Sequence, residues 1–411
     1  MRVLIVTQFY RPENFRINDL IDELNLRGHE VTILTGLPNY PKGNFFEGFS
    51  YFSCGSSMEG NVKVIRVPII PRFSSTKIQL AVNYLSFVLS ATIYSFFLFR
   101  KEFDLIFTYA PSPLTVGLPS LFIKLFKRIP HIIWIQDLWP EVFRAVEAPK
   151  LKLFYSLVEL MMKVIYKGSD LLLVQSKDFI PSIVEKGVAV KKIEYFPNWA
   201  EELYQPIERG VALQENIEMP ALRSFNLMFA GNIGAAQSID TIVKAAYELR
   251  EEDINWIILG DGRRRDWLDH EVERLKLDEK VHVLGHKAVE TMPFYFSLAD
   301  ALLVTLQPHP VMSSWIPGKI QSYLACGKPI IAALEGAGAK VVTESNCGYV
   351  AKPGDHIELA KSVLQLSKAS KSERFEMGRR ALNYYNLEFN REYLIDKLDA
   401  RMNSFIERDV R

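Results

Sequence analysis

The sequence predicts an α/β protein built from two domains, each with an open parallel sheet. Its 411 residues are enough for two or three domains of roughly 150 residues each. Short apolar segments alternate with longer amphipathic ones, which is the pattern of parallel sheets covered by helices on both faces. The alternation stops at residues 199–224 and then resumes. We therefore expect one domain over residues 1–198, a linker, and a second domain over residues 225–385.

The strands and helices follow one another regularly within each domain. The first helix is predicted at Phe15–Arg27, with Gly28 ending it. Strands of the first domain are predicted at Val3–Phe9, Val31–Thr35, Val62–Val67, Leu105–Tyr109, Ile132–Gln136, Leu171–Gln175 and Ile193–Phe196. Strands of the second domain are predicted at Leu227–Ala230, Trp256–Leu259, Val281–Leu284, Ala301–Thr305, Pro329–Ala332 and Gly348–Val350.

The overall charge is close to zero, but the two halves of the chain differ. A formal net charge of +1 argues against a dedicated nucleic-acid-binding protein, which usually has a strong basic excess. Residues 1–200 carry 23 Lys and Arg against 17 Asp and Glu, whereas residues 201–411 carry 26 against 31. We therefore expect the two domains to bind chemically different partners.

Cysteine usage and the first residues indicate the compartment. The three cysteines, Cys54, Cys326 and Cys347, form no Cys-x-x-Cys pair, which favours reduced thiols in a cytoplasmic protein. Residues 1–6 lead directly into a strand pattern and contain no small-residue cleavage site. The sequence therefore predicts no signal peptide.

An uncharged segment at residues 78–99 suggests contact with a membrane. Its 22 residues reach the ~20 that a spanning helix needs, although six Gln, Asn, Ser and Thr residues dilute it. Three alternatives remain: a buried helix of the domain, a helix that enters one leaflet, or a true span. Residues 61–136 contain nine basic and two acidic residues, which favours an anionic leaflet. A second basic and apolar helix, predicted at 150–167, either adds to this surface or packs against the core.

Three loops that follow predicted strands are candidates for binding phosphate or sugar. The loop at 8–16 lacks the glycine spacing of a dinucleotide-binding loop, and its alternative role is a plain polar connection. The Gly-Asp-Gly turn at 260–262 directly follows a strand of the second domain. In the third loop, Pro317 and Gly318 mark a helix start, whose amides together with Lys319 are suited to a diphosphate. Without that helix start, Lys319 would be interpreted as a solvated surface lysine.

Two carboxylates follow a strand of the first domain. Asp137 and Glu141 lie four residues apart in the segment Asp-Leu-Trp-Pro-Glu. Carboxylates at a strand end of an α/β protein are candidates for acid–base or charge-stabilising roles. Asp137 is alternatively placed to cap the segment that follows it.

Six short motifs occur in order along nearly the whole chain. They are Gln-Phe-Tyr-x-Pro-Glu-Asn at 8–14, Asp-Leu-Trp-Pro-Glu at 137–141, Phe-Pro-Asn-Trp at 196–199, Gly-Asn-Ile-Gly at 231–234, Gly-Asp-Gly at 260–262 and Ser-Tyr-Leu-Ala-Cys-Gly-Lys-Pro at 322–329. Their order and spacing resemble the family 4 retaining glycosyltransferases. The pattern is most similar to the WbuB-like subgroup, which resembles fucosamine transferases of O-antigen and colanic-acid assembly.

The resemblance implies a GT-B fold, in which two Rossmann-like domains face a central cleft. A C-terminal helix, predicted over residues 386–411, would cross back to the first domain, and the helical stretch from Tyr384 to Phe405 would supply that crossing. Asp137 would be the catalytic group facing the reacting sugar, with Glu141 as the runner-up. No Asp-x-Asp occurs, so a bridging metal is not expected. The resemblance implies no other cofactor. The donor would be bound by Asn14, Arg16, Asn232, Gly234, Gly262, Ser314, Gly318, Lys319 and Ser322.

Several positions depart from the broad family pattern. The two glutamates that usually contact the donor sugar and the ribose fall on Ser314 and Ser322, whose hydroxyls bring no charge. The usual Arg and Lys after the first strand of domain two fall on Asn232 and Gln237. Lys319 and helix N-terminal amides are therefore expected to neutralise more of the diphosphate.

The resemblance implies a retaining glycosyltransferase that moves a sugar, such as N-acetylfucosamine or another N-acetylated deoxyhexosamine, from a UDP-sugar. The acceptor would be a saccharide on a polyprenyl diphosphate in O-antigen, lipopolysaccharide or capsule synthesis. The enzyme would be a peripheral or monotopic protein at the cytoplasmic face of the inner membrane. His286 and Glu335 are further candidates for contacts to base or sugar. Two other classes remain open: a GT-B sugar-nucleotide epimerase, and a non-catalytic membrane-associated partner of a polysaccharide assembly complex.

Overall fold

Two sheets organise the chain, and each belongs to its own unit. The computed structural model describes residues 1–73, 76–141, 152–215, 217–220, 224–309 and 311–409. Unit 1 consists of Met1–Phe196 with Glu392–Arg411, and unit 2 consists of Pro197–Arg391. Both units carry parallel strands connected by helices. The predicted α/β class with two Rossmann-like units is therefore confirmed.

Unit 1 is built on an eight-stranded sheet. Its strands are β1 (Arg2–Val6), β2 (Glu30–Gly36), β3 (Gly55–Glu59), β4 (Val62–Val67), β5 (Leu105–Ala110), β6 (His131–Ile135), β7 (Leu171–Val174) and β8 (Ile193–Tyr195). Their order is β3-β4-β2-β1-β5-β6-β7-β8, and only β3 with β4 pairs in antiparallel orientation. The seven predicted strands are confirmed. The sequence pattern does not predict β3, because the segment Gly-Ser-Ser-Met-Glu contains a single apolar side chain.

In the described part of this unit before residue 197, the structure has five α-helices. They are α1 (Arg16–Leu26), α2 (Lys77–Leu98), α3 (Gly117–Lys127), α4 (Lys152–Gly168) and α5 (Phe179–Glu185). The helix predicted before Gly28 is confirmed, since α1 buries four apolar side chains on one face, Ile17, Leu20, Ile21 and Leu24. The helix predicted at 150–167 is described from residue 152 onward, and its first two predicted residues lie outside the described ranges.

Unit 2 has a six-stranded, fully parallel sheet in the order β11-β10-β9-β12-β13-β14. The strands are β9 (Phe225–Ala230), β10 (Ile254–Leu259), β11 (Val281–Gly285), β12 (Ala301–Thr305), β13 (Ile330–Ala333) and β14 (Gly348–Ala351), which confirms the six predicted strands. The helices are α6 (Arg209–Ala212), α7 (Ile239–Glu248), α8 (Arg265–Arg274), α9 (Met292–Leu298), α10 (Gly318–Ala325), α11 (Ala337–Glu344), α12 (His356–Lys368) and α13 (Lys371–Glu388). Both faces of the sheet are buried, as the continuous apolar strand sequences require.

The last helix, α14 (Arg391–Asp409), packs on unit 1. The Nε of Arg401 donates to the Glu194 carboxylate at 2.8 Å. The prediction of one helix from Tyr384 to Phe405 is wrong, because α13 ends at Glu388 and α14 begins at Arg391. Phe389 lies between the two helices and is fully buried in the core of unit 2. That anchor explains the break.

Each sheet has one place where the strand order reverses. In unit 1 it lies between β1 and β5, and in unit 2 it lies between β9 and β12. Open parallel α/β sheets bind their ligands beyond the carboxyl ends of the strands at such a place. The loops at 7–15 and 231–238 begin there. The sheet topology and the sequence motifs therefore indicate the same two loops as binding sites.

Candidate active site

Two glycine-containing loops of unit 2, at 231–234 and 260–262, pack directly on one another. We call them the glycine loops. The Ile233 amide donates to the Asp261 carbonyl oxygen at 2.8 Å. Gly260 has a φ of +137°, and a Cβ on it would lie 1.9 Å from the Gly231 carbonyl oxygen. No other residue fits at this contact, so the backbones form one surface at the end of β9 and β10.

Lys319 lies against these loops. A Cβ at Gly231 would lie 2.5 Å from Cε of Lys319, and the lysine Nζ is 3.8 Å from the centre of the Phe229 ring. Burial lowers the pKa of Lys319 to about 7. Among the described residues it has no carboxylate within ion-pair distance, and no neighbouring charge opposes the effect of burial on its pKa. An anion that binds here would meet a cation without a counter-ion.

Helix α10 supplies the backbone amides next to this lysine. It begins at Gly318 with Pro317 before it, which confirms the predicted helix start. Gly318 is exposed, and a Cβ on it would meet nothing within 4 Å, so packing does not require glycine there. The Oγ of Ser322 donates to the Gly318 carbonyl at 3.3 Å, and the Oγ of Ser314 donates to Val311 at 2.8 Å. Both serine hydroxyls therefore bond to backbone in this structure.

The predicted donor residues of the glycine loops come together around Asn232. Its exposed side chain donates to Oε1 of Gln237 at 3.5 Å. A Cβ at Gly234 would lie 2.6 Å from Nδ2 of Asn232, and one at Gly262 would lie 2.5 Å from its Oδ1. His286 is exposed after β11. Glu335 lines a small cavity together with Gln307, His309 and Ser313.

In unit 1, Asp137 and Arg16 lie in one neighbourhood. Burial raises the pKa of Asp137 to about 7, and a hydrogen bond with Ser112 opposes that shift. Burial also raises the pKa of Tyr109, while the charge of Arg16 lowers it and that of Asp137 raises it. The two predicted residues therefore both act on Tyr109. Asn14 lies exposed in the loop before α1.

Glu141 has a different environment from Asp137. It accepts hydrogen bonds from Nζ of Lys186 at 2.5 Å and from Oγ of Ser182 at 2.8 Å. Burial would raise its pKa, but the bonds from Lys186 and Ser182 lower it below the usual value. This ion pair favours Asp137 over Glu141 as the group available to a substrate. Within the described ranges, no cluster of three His, Cys, Asp or Glu side chains is suited to a metal ion.

Two residues that hold the loop after β1 and the start of the glycine loop at 231–234 are missing from the predicted site residues. The carboxylate of Glu13 accepts bonds from the backbone amides of Tyr10, Asn39 and Tyr40 at 3.3, 2.9 and 2.7 Å. The place of Glu13 within a loop motif is the signal that could have identified it. Tyr323 bonds through its hydroxyl to the amide of Ala230 at 3.2 Å. Its place within the motif at 322–329 is again the signal that could have identified it.

Two families of known proteins match the sequence. "Glycosyl transferase 4-like domain" matches residues 14–199, and "Glycosyl transferases group 1" matches residues 224–369. The chain is 24% identical to "Putative colanic acid biosynthesis glycosyl transferase WcaI" of Escherichia coli, over 82% of this chain and 84% of that protein. It is 26% identical to "Probable glycosyltransferase WbjE" of Pseudomonas aeruginosa, over 62% of this chain and 66% of that protein. A shorter match, 28% identical over 32% of this chain and 34% of the relative, is to the Campylobacter jejuni "N-acetylgalactosamine-N,N'-diacetylbacillosaminyl-diphospho-undecaprenol 4-alpha-N-acetylgalactosaminyltransferase".

Solved structures of similar fold cover nearly the whole chain. Sucrose-phosphate synthase from Thermosynechococcus elongatus has a TM-score of 0.72 at 16% identity, with 99% of each chain covered. Anabaena HepE in complex with UDP has a TM-score of 0.70 at 14% identity, with 98% of this chain and 100% of that chain covered. The two family matches together span most of the chain and favour a transferase over an epimerase or a non-catalytic partner. The chain belongs to the group 1, family 4-like glycosyltransferases and has their GT-B fold.

Proposed function

We propose that this glycosyltransferase transfers a sugar, with retention, from a UDP-sugar to a saccharide carried on a polyprenyl diphosphate. The sugar is an N-acetylated deoxyhexosamine such as N-acetylfucosamine. The observation that carries the donor class is Lys319, a cation without a carboxylate partner among the described residues, held against the glycine loops. A nucleoside diphosphate supplies the negative charge that this position lacks.

The names of related proteins support the finer parts of the proposal. HepE has a structure in complex with UDP, which supports uridine as the donor base. The Campylobacter jejuni relative acts on a diphospho-undecaprenol saccharide by its name, which supports a lipid-linked acceptor. The name of WcaI refers to colanic acid, which supports a bacterial surface polysaccharide as the product.

The proposed reaction stabilises charge on the departing diphosphate. As the bond from the anomeric carbon to the diphosphate oxygen breaks, Lys319 and the amide of Gly318 neutralise the growing negative charge. The acceptor hydroxyl bonds to the anomeric carbon on the same face, and its proton passes to the leaving diphosphate. Asp137, as a carboxylate, stabilises the positive charge that develops on the sugar ring. The hydroxyls of Ser314 and Ser322 exchange their backbone partners for sugar and ribose hydroxyls.

We also propose that unit 1 contacts the cytoplasmic face of the inner membrane as a monotopic protein. The outer face of α2 exposes seven large apolar side chains, Ile78, Val82, Leu85, Leu89, Ile93, Phe96 and Phe97. The ring of Phe96 lies 5.3 Å from that of Phe122, so α3 extends this surface, and Leu125 and Phe126 of α3 are exposed beside it. Contiguous apolar surface of this extent is characteristic of an interaction site. We call it the apolar face.

The inner face of α2 supports a helix that enters one leaflet rather than one that spans the bilayer. The Ile78–Leu98 segment is long and apolar enough to span a bilayer, and 22% of its most apolar stretch is buried within the protein. Nδ2 of Asn83 donates to the Ile70 carbonyl at 2.7 Å, and Oγ of Ser86 accepts from the Ile70 amide at 2.9 Å. These bonds tie α2 along the unit. Arg100 and Arg128 are exposed nearby without a carboxylate partner in the described part of the chain, which suits an anionic leaflet.

A panel of nucleotide sugars tests the proposed function. We expect UDP-sugars to raise the melting temperature and to be slowly hydrolysed to UDP and free sugar. Adding a saccharide on a short prenyl diphosphate should convert hydrolysis into transfer with the anomeric configuration retained. Interconversion of the sugars without release of UDP would point to an epimerase instead. If no nucleotide changes the melting temperature, the protein has no donor site and the proposal fails.

A further inference from the structure

The segment between β4 and α2 contains an arginine enclosed by aromatic rings. The guanidinium carbon of Arg72 lies 5.1 Å from the ring centres of Phe9 and Tyr40 and 5.2 Å from that of Tyr84. The residue is only 8% exposed. Phe9 belongs to the loop after β1, so the arginine lies beside the place where the strand order of unit 1 reverses.

The charge of Arg72 is not neutralised by any carboxylate at ion-pair distance among the described residues. Its one hydrogen bond there runs from Nε to Oδ1 of Asn83, at the long distance of 3.4 Å. The charge of Arg72 lowers the pKa of Glu13, but the oxygens of Glu13 are taken by three backbone amides. A guanidinium has five donors, and burying it without a partner for most of them costs free energy. The arrangement calls for an anion from outside the chain.

Arg66 of the same unit offers a direct comparison. It is 5% exposed and lies 5.9 Å and 5.1 Å from the ring centres of Tyr10 and Phe49. However, Arg66 forms an ion pair with Glu59 and donates to the Arg11 carbonyl at 3.0 Å. Two buried arginines of unit 1 thus have similar aromatic surroundings, but among the described residues Arg66 has a carboxylate partner and Arg72 has none.

The surroundings of Arg72 indicate what kind of anion it meets. Ile70 and Phe73 flank it in sequence and are 46% and 57% exposed, and Ile78 is 77% exposed at the start of the apolar face. On the other side of Arg72 lies Tyr84, whose pKa is raised by burial. The charge of Arg72 lowers the pKa of Tyr84 and the charge of Asp137 raises it, so both residues are close to this tyrosine. The arginine therefore stands between an apolar surface and the neighbourhood of Asp137.

We infer that Arg72 binds a phosphate of the prenyl diphosphate that carries the acceptor saccharide. The guanidinium offers paired N–H donors that match phosphate oxygens, and the three rings hold its plane in place. The prenyl chain then runs over Ile70, Phe73 and the apolar face, and the saccharide extends toward Asp137. This inference rests on the proposed function for the identity of the acceptor, but the anion site itself does not depend on sugar transfer.

Binding of farnesyl diphosphate tests the site directly. The titration is run with saturating UDP, so that the donor site is filled, on the wild-type chain and on Arg72→Gln, Arg72→Lys and Arg66→Gln. We expect Arg72→Gln to weaken binding about tenfold or more, Arg72→Lys to weaken it less, and Arg66→Gln to leave it unchanged. Farnesol should bind more weakly than farnesyl diphosphate to the wild type, and inorganic diphosphate should also bind more weakly.

Separate outcomes identify a wrong ligand and a wrong function. If Arg72→Gln folds with the wild-type melting temperature and binds farnesyl diphosphate as tightly as the wild type, the inference is overturned; if it does not fold, equal binding by Arg72→Lys and the wild type overturns it. Equal losses for Arg72→Gln and Arg66→Gln also overturn it. If Arg72→Gln instead loses binding to phosphatidylglycerol vesicles, a lipid headgroup is the anion and the assignment to the acceptor is wrong. Arg72-dependent binding in a protein that transfers no sugar would sink the proposed function alone.

Discussion

The side chain of Lys319 packs directly against the backbone of Gly231. A Cβ at residue 231 would lie only 2.5 Å from Cε and 2.6 Å from Nζ of the lysine. Gly231 has a φ of +143°, which side-chain-bearing residues rarely adopt. The lysine thus fills the volume that any other residue at 231 would need. The position of the lysine therefore depends on the absence of a side chain at residue 231.

Gly231→Ala is expected to displace the Lys319 side chain and weaken UDP binding about tenfold. The unfavourable φ should also lower stability by about 1–2 kcal/mol. Calorimetric titration with UDP and a thermal melt measure the two effects. Gly210→Ala is the matched control, since a Cβ there meets nothing within 4 Å. Wild-type UDP affinity in Gly231→Ala would contradict the role given to this contact.

Nucleotide binding should take up a proton near neutral pH. The pKa of Lys319 is lowered to about 7 by burial, so above pH 7 the lysine is mostly neutral in the free protein. A diphosphate favours the charged form, and the UDP affinity should therefore fall as pH rises through 7 and above. Titrations at pH 8 in two buffers with different ionisation enthalpies should give different binding enthalpies. The difference should disappear in Lys319→Met, and identical enthalpies for the wild type would refute proton uptake.

Lys319→Met should stabilise the nucleotide-free protein while it removes UDP binding. The folded pKa of about 7 lies below the usual lysine pKa of 10.5, so between these pH values the unfolded chain binds a proton that the folded chain does not. Stability therefore rises with pH across this range, and the penalty is fully present below pH 7. We expect a gain of about 1–2 kcal/mol at pH 7, seen as a higher melting temperature. Lys361→Met, at an exposed lysine of α12, should not change the melting temperature.

Asp137→Asn is expected to reduce transfer about 100- to 1,000-fold and to leave UDP affinity unchanged. The carboxylate is the active form, and the pKa of Asp137 is raised to about 7 by burial, so wild-type turnover should fall as pH drops below 7. Initial rates across pH 5.5–8.5 measure this limb. Glu185→Gln, at an exposed position of α5, serves as the control. Unchanged turnover in Asp137→Asn would remove Asp137 from the mechanism.

Leu85→Ser combined with Leu89→Ser should weaken binding to phosphatidylglycerol vesicles about tenfold or more. The two side chains are 61% and 64% exposed, so the melting temperature should stay the same. Co-sedimentation with vesicles measures the effect. Phe375→Ser combined with Leu387→Ser, at residues 70% and 73% exposed in unit 2, is the matched control. If both double variants sediment with vesicles to the same extent as the wild type, the apolar face is not the membrane contact.

Strands that are buried on both faces of a sheet can be predicted from their local sequence. The thirteen predicted strands are apolar along most of their length, and parallel strands between helices need such sequences. Strand β3 is at the sheet edge and mostly exposed, so it carries no apolar pattern to recognise. The break at Phe389 is likewise hidden, because a single aromatic anchor in the core of unit 2 decides it and no proline or glycine marks it.

The candidate site is predictable only in part, because its chemistry depends on contacts between distant segments. Glycine motifs and a helix start identify the loops around Lys319. The pKa of Lys319, in contrast, is set by its burial against Phe229 and Gly231, which lie 90 and 88 residues before it in the sequence. Arg72 is one of nine basic residues in its region of the sequence. Only the rings of Phe9, Tyr40 and Tyr84 distinguish it.

Unit 1 can be completed only after α14, the last helix of the described chain, has been synthesised. Ile395 and Met402 of α14 are fully buried in a unit whose other strands and helices end before residue 197, and Nε2 of His29 lies 3.0 Å from Oδ1 of Asp399. The ribosome must therefore translate all of unit 2 before the nascent N-terminal unit receives its final segment. Until then, the surface that α14 covers stays open to chaperones and proteases. Premature termination within α14 should thus damage the first-made unit rather than the last-made one.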